Sequence, residues 1–400
     1  MIMSNVPILL ATVVALAVLM LPRVSEARLW HATVTPLASI IGSGFLVLGP
    51  VLDQSYGLYA PLAMAALCLG AWAFGAAVRF NIAAIDRTEG KRSRAEERVE
   101  VLASWALAFA YVISVSYYLN LFGAFAVSLT PLKGPEHARE VTTAVFLVVL
   151  IAGWARGFGA LERMEQVAVS LKLAIILGLL VGLAQYVAHH AVAGDLVLND
   201  PGLSGWPAVT LAFGLIVTVQ GFETARYLGA TYDAPTRIRA MRLAQGLATL
   251  IYMIYICLLA FDFPAGQVAL TETAIIDLMR LVAPILPVLL VAAALAAQFS
   301  AAVADTAGSG GLVAELTGGR VSSRQSYALL VAVGILLTWS ANIFEIIAYA
   351  SRAFAAYYTL QAVIAALAAR TRPGAVWRVP VFAALALLGL AIVIFGTPVE

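Results

Sequence analysis

Charge is what this 400-residue chain has least of: Asp, Glu, Lys and Arg together make up 12% of it, roughly half the share of an ordinary soluble domain. That excludes a water-facing globular surface. Cysteine occurs twice, as Cys68 and Cys257, each inside an apolar stretch, so neither a disulfide framework nor a thiolate metal site is expected. No phosphate-binding loop, HExxH helix or nucleophile elbow occurs, which leaves no basis for an enzyme or a cofactor. His189 and His190 beside Asp195 and Asp200 are too weak a signal for a metal. A net charge of +2 gives no reason to expect a nucleic-acid partner.

What is there is apolar. Hydrophobic residues make up 62% and the mean hydropathy is +0.95, with charge-free runs such as Ala32 to Leu52, Val101 to Leu132 and Leu281 to Ala304. A helix needs roughly 20 apolar residues to cross the hydrocarbon core. Uniform rather than alternating runs select helices over a barrel. The expectation is an all-α integral membrane protein with twelve spans: an extra one at 5–22, ten at 32–52, 58–79, 101–130, 141–157, 165–190, 206–228, 240–262, 281–306, 325–341 and 344–370, and a last one at 377–396. The ten middle ones are numbered 1 to 10 here. Nineteen of the 24 Lys and Arg residues fall on one set of alternate loops and flanking helix ends, and three on the other. By the positive-inside rule the basic loops are cytoplasmic and the N-terminus is outside. The first segment lacks a basic start and a clear cleavage pattern, so a retained helix is expected rather than a signal peptide. The segment Arg79 to Glu100 is expected to be a solvated cytoplasmic loop.

Two spans are interrupted. Span 1 contains Ile41-Gly42-Ser43-Gly44-Phe45, and span 6 contains Gln220-Gly221-Phe222-Glu223. Broken helices survive in lipid only where they line a cavity. The interruptions are five spans apart, and an odd repeat inverts the second copy, which points to a carrier with a site near the midplane. Close packing of glycine is the competing explanation.

At these residues the chain resembles the amino acid, polyamine and organocation (APC) permeases, whose fold is that of the bacterial leucine transporter. Gly42-Ser43-Gly44 is similar to their span 1 signature and Gly221-Phe222-Glu223, followed by Tyr232-Asp233-Ala234-Pro235, to their span 6 element. Leu171-Lys172-Leu173 resembles a span 5 lysine of many members. The chain departs from them at Val219, where an aromatic gate is usual, at Ala234, where Asn is usual, and at the end of span 8, which lacks their arginine. The resemblance implies a 5+5 inverted repeat: residues 1–28 as an extra helix, 29–190 and 191–370 as the repeats, and 371–400 as a C-terminal helix. It also implies proton coupling or pH-dependent exchange through Lys172.

The expected substrate site comprises Ile41, Gly42, Ser43 and Gly44, where a half-helix would offer free amides to a carboxylate, with Val219, Gln220 and Gly221 opposite. Tyr117 and Asn120, with Tyr118, either line the pocket or only pack. Arg352 either binds an anion, serves the outer gate, or pairs with Glu345. Coupling and gating fall to Lys172, Glu223, Arg226, Ser300 and Asp305. Lys172 either titrates or snorkels to the cytoplasmic end. Glu223 and Arg226, three apart, are expected to pair, and Asp305 either faces Lys172, as Ser300 could, or sits in water at a helix end. The expected function is a secondary transporter of a small organic solute, an amino acid or related amine or carboxylate, in a bacterial inner membrane. A sensor of the same fold that has lost transport is the alternative. Oligomeric state is not legible.

Overall fold

The computed structural model describes residues 5–399 apart from 43, 89, 133, 156–161, 265 and 373, and without the side chains of 162–165 and 230. Among the described residues there is no strand. The helices are α1 (Asn5–Met20), α2 (Pro22–Ser25), α3 (Arg28–Ile40), α4 (Gly44–Tyr56), α5 (Ala60–Arg87), α6 (Arg94–Ser128), α7 (Pro135–Ala155), α8 (Glu162–Ala193), α9 (Gly205–Gly214), α10 (Ala234–Leu259), α11 (Ala274–Val282), α12 (Leu286–Leu316), α13 (Ser323–Ser340), α14 (Ile343–Arg370) and α15 (Val379–Phe395). Two 3₁₀ segments, Ile216–Val219 and Phe222–Ala230, follow α9 in the chain.

Among the described residues, eight helical runs are long and apolar enough to cross a membrane, which makes this an integral membrane protein. The difference from the expected twelve has a physical origin. The interrupted spans fall into pieces of 13 and 13 residues, and of 10, 4 and 9 residues. α1 has only 16 residues, and α13 has 18 with Arg324 in its first turn.

Two expected boundaries move. Span 8 was expected from 281, but Ala283 precedes Pro284 and is extended (φ −157°, ψ 142°), as a pre-proline residue prefers. Residues Ala274–Val282 therefore form a separate helix, and α12 starts at Leu286 with a proline in its first turn. The expected loop from Arg79 to Glu100 is mostly helix, since α5 runs to Arg87 and α6 starts at Arg94 behind a Ser93–Glu96 capping box. Arg79 is buried in α5, where it donates to Gln245 Oε1 and lies 5.0 Å over the Trp72 ring.

α6 is the central helix, packed along α12 and α14. α5 packs on α10, α7 on α13, and α3 on α10. The two outermost helices find matching places, α1 against α8 and α15 against α14. One large apolar core joins these helices, with Tyr117, Tyr252, Tyr255, Tyr357 and Tyr358 among its largest fully buried side chains.

The α1–α8 contact depends on a small residue. A Cβ at Gly178 would lie 2.2 Å from Thr12 Oγ1 and 3.1 Å from the Ile8 carbonyl oxygen. Gly178→Leu should therefore push α1 away and cost about 1–3 kcal/mol by overpacking, read as a lower Tm in detergent. Gly246→Leu, where nothing lies within 4 Å of a Cβ, should leave Tm nearly unchanged.

Candidate functional site

Breaking a helix frees carbonyl oxygens at one end and amides at the other, and in a membrane interior the protein itself must supply their partners. At the end of α3, the Leu37 carbonyl accepts from the Ile41 amide. The Ala38 carbonyl accepts from Lys172 Nζ at 2.9 Å, and the Ile40 carbonyl from the Tyr252 hydroxyl at 3.0 Å. At the other break, the Ser351 hydroxyl donates to the Gly214 carbonyl at 2.6 Å and accepts from the Val217 amide at 3.1 Å. Tyr252 also lies 2.5 Å from the Thr218 carbonyl oxygen. One phenol on α10 thus ties the two breaks together.

The chains at the breaks lie in direct contact. Gly221 has φ +116°, a left-handed conformation that glycine tolerates, and a Cβ there would lie 2.5 Å from Ser39 Cβ and 2.7 Å from the Ile40 amide nitrogen. Its own amide donates to Glu223 Oε2 at 3.0 Å, so this carboxylate caps the following 3₁₀ segment at its partially positive end. The Tyr358 hydroxyl donates to the same Glu223 oxygen at 2.8 Å and lies 3.3 Å from Gln220 Oε1. Ile41, Val219 and Gln220 are buried, Gly42 is partly exposed with Tyr118 3.8 Å from a Cβ built on it, and Gly44 packs under the Tyr117 hydroxyl, 2.6 Å from such a Cβ. Ser43 lies outside the described residues. Ile40, Val219 and Tyr252 line a small cavity with Cys68, Gln245 and Thr249.

Asp305 is buried well inside α12, which runs to Leu316, and accepts from the Ser114 hydroxyl on α6. The expected helix end in water is therefore corrected, because α12 continues three turns beyond Asp305. Ser300 is half-buried on the same helix. Tyr111, one turn from Ser114, meets Phe354 edge-on at 6.1 Å, and Phe354 stacks on Tyr358 at 6.3 Å, so aromatic rings connect the surroundings of Asp305 and Glu223.

Other expectations are corrected. Glu223 and Arg226 do not pair: Glu223 is drawn back onto the Gly221 amide, and Arg226 reaches Glu100 Oε1 on α6 at 2.6 Å and Gln361 Oε1 on α14. Asn120 turns from the breaks to α13, where Nδ2 donates to Thr338 Oγ1 at 2.9 Å. Arg352 Nε donates to the Gly396 carbonyl at 2.9 Å and ties α14 to the end of α15, while Glu345 caps α14 with Asn342. Lys172 is 6% exposed, which excludes snorkelling. Its ammonium sits at a helix C-terminus, where a cation is favoured.

Tyr252, Ser351, Tyr358, Ser114, Gln361 and Glu100 were not foreseen. The signal for Gln361 was available, since a polar amide inside an apolar run marks an interior-facing position. Gln298, fully buried on α12 with neither amide atom hydrogen-bonded, carries the same signal.

A family model described as an APC superfamily transporter matches residues 22–396. An uncharacterized protein of Aquifex aeolicus (strain VF5) is 41% identical over 386 residues, covering 95% of this chain and 93% of its own.

Replacing Tyr252 with Phe leaves two buried carbonyls without their shared donor. The expected loss is about 1–3 kcal/mol, measured as a lower Tm in detergent. Tyr255→Phe, whose hydroxyl reaches the Leu46 carbonyl only at 3.5 Å, should cost much less.

Proposed function

Since the chain belongs to the APC superfamily of transporters, we propose that it is a secondary carrier of a small organic amine, amino acid or carboxylate, working by alternating access around the two breaks. The observation that carries this reading is the juxtaposition of the interrupted segments, with Gly221 against Ser39 and Tyr252 bonded to carbonyls of both. Such interruptions belong where a solute meets half-helix ends.

The reading takes α3–α4 as span 1 and the segment from α9 to Ala230 as span 6, within a twelve-span, 5+5 inverted repeat over 29–190 and 191–370. The packing supports it. α5 with α10, α6 with α12 and α7 with α13 are each a span with its counterpart five positions later, and α1 and α15 cover the counterparts α8 and α14. Gln298, Tyr117, Gln220 and Glu223 would face the solute. The basic loops would be cytoplasmic in a bacterial inner membrane. Lys172 would couple transport to protons by leaving the Ala38 carbonyl when it loses its charge, which loosens α3.

The test is reconstitution of the protein alone in proteoliposomes with labelled amino acids and amines under an imposed pH gradient. Accumulation that is lost in Gln220→Ala, and becomes insensitive to the gradient in Lys172→Met, is the expected result. Binding without flux would instead favour a sensor, and neither binding nor flux for any solute class would refute the proposal.

A further inference from the structure

The described chain holds a second polar cleft, away from the two breaks, at the end of the molecule that carries the arginine-rich turns. It is an open groove between the C-terminal turns of α5 and α14 and the first turn of α6. Three cations line it: Lys91, Arg92 and Arg372. The one carboxylate on its wall, Glu96, already accepts from the Ser93 amide at 2.7 Å as part of the capping box. The N-terminus of the 35-residue α6 adds its partial positive charge. Arg372 is fixed at the rim, with Nη2 donating to the Ala84 carbonyl at 2.8 Å and its guanidinium 5.7 Å from the Phe80 ring centre.

The cleft also has an unsatisfied acceptor. Asn81 is 1% exposed and lines it. Its amide nitrogen donates to the Gln361 carbonyl and to Gln361 Oε1, both at 2.9 Å, while its Oδ1 has no hydrogen-bond partner. An isolated buried acceptor is costly, and here it adjoins an excess of positive charge. Anion and hydrogen donor are the two halves of one chemistry, a phosphate ester that also carries a hydroxyl.

We propose that this cleft binds a phosphate-bearing ligand with an adjacent hydroxyl, the headgroup of phosphatidylglycerol being the form that the surroundings favour. Trp377, 65% exposed, and Arg378, 5.0 Å over its ring, lie just beyond Arg372 in the chain, and such aromatic and basic residues concentrate at the membrane–water boundary. Basic pockets between membrane helices are suited to anionic headgroups.

The cleft is wired to the segment that follows the second break. Arg92 forms an ion pair with Glu100 Oε2 at 3.3 Å, and Glu100 Oε1 accepts a hydrogen bond from Arg226. Arg226 bonds Gln361, and Gln361 bonds Asn81, which returns to the cleft. A phosphate drawing Arg92 towards itself weakens its hold on Glu100, so occupancy and the anchoring of Phe222–Ala230 are linked. Binding itself does not depend on the transport reading.

Native mass spectrometry of the purified full chain, with phosphatidylglycerol, phosphatidylcholine and inorganic phosphate offered separately, tests the proposal without any transport assay. Phosphatidylglycerol should be retained over phosphatidylcholine, and Lys91→Gln with Arg372→Gln should weaken that retention about tenfold or more. Retention of inorganic phosphate with the same variant sensitivity would support the cleft with a soluble phosphate as its source. Arg320→Gln, outside the cleft, should change nothing, and Glu100→Gln, which releases Arg92, should strengthen binding. If the double variant does not fold, Lys91→Gln alone, at an exposed side chain, should still reduce retention severalfold. Equal retention of both lipids by the wild type, or retention of phosphatidylglycerol undiminished in the Lys91 variants, would overturn it.

Discussion

Two helical runs of this membrane protein are interrupted, after α3 and after α9, and lipid offers nothing to the carbonyls and amides that such breaks release. The structure meets that constraint with side chains from other helices. Tyr252 on α10 serves both breaks, Lys172 on α8 closes the end of α3, and Ser351 on α14 closes the end of α9. These ties fix where α8, α10 and α14 stand around the breaks. A backbone requirement, more than any apolar contact, thus sets the centre of the bundle.

Around that centre the buried charges are used locally. Glu223 caps its own segment, Asp305 bonds Ser114, and Lys172 sits on a helix carbonyl. The described partners of Glu223 and Asp305 are neutral or backbone groups. The described ion pairs lie elsewhere, and the most buried of them, Arg226 with Glu100, joins the segment after the second break to α6. Single hydrogen bonds exchange partners at lower cost than buried ion pairs, whose separation leaves an uncompensated charge.

Much of this was legible in the chain. Long charge-free runs announced membrane helices, Gly42 and Gly44 located the first interruption to within a residue or two, and the Gln220-Gly221 pair marked the turn between the two 3₁₀ segments, while α9 itself ends earlier, at Gly214. Lys172 stood out as a cation inside an apolar run. Its partner did not, because a backbone carbonyl 134 positions away leaves no mark in the sequence. Tyr252 was equally hidden, being one of 14 tyrosines whose bulk alone would justify a core position. The Glu223–Arg226 pairing failed because spacing along one segment says nothing of a better acceptor on another helix. Glu100 looked like part of a solvated loop, and only the extension of α6 to Arg94 brings it against Arg226.

The central claim is that the joined breaks form one site opened in turn to each side of the membrane. Its most direct measurement is alkylation of Val219→Cys, on a Cys68→Ser, Cys257→Ser background, in sealed proteoliposomes with a membrane-impermeant maleimide. The account predicts labelling when the reagent is added from either side, with each rate altered by substrate. Labelling from one side only, whatever solute is present, or none from either side, would contradict it.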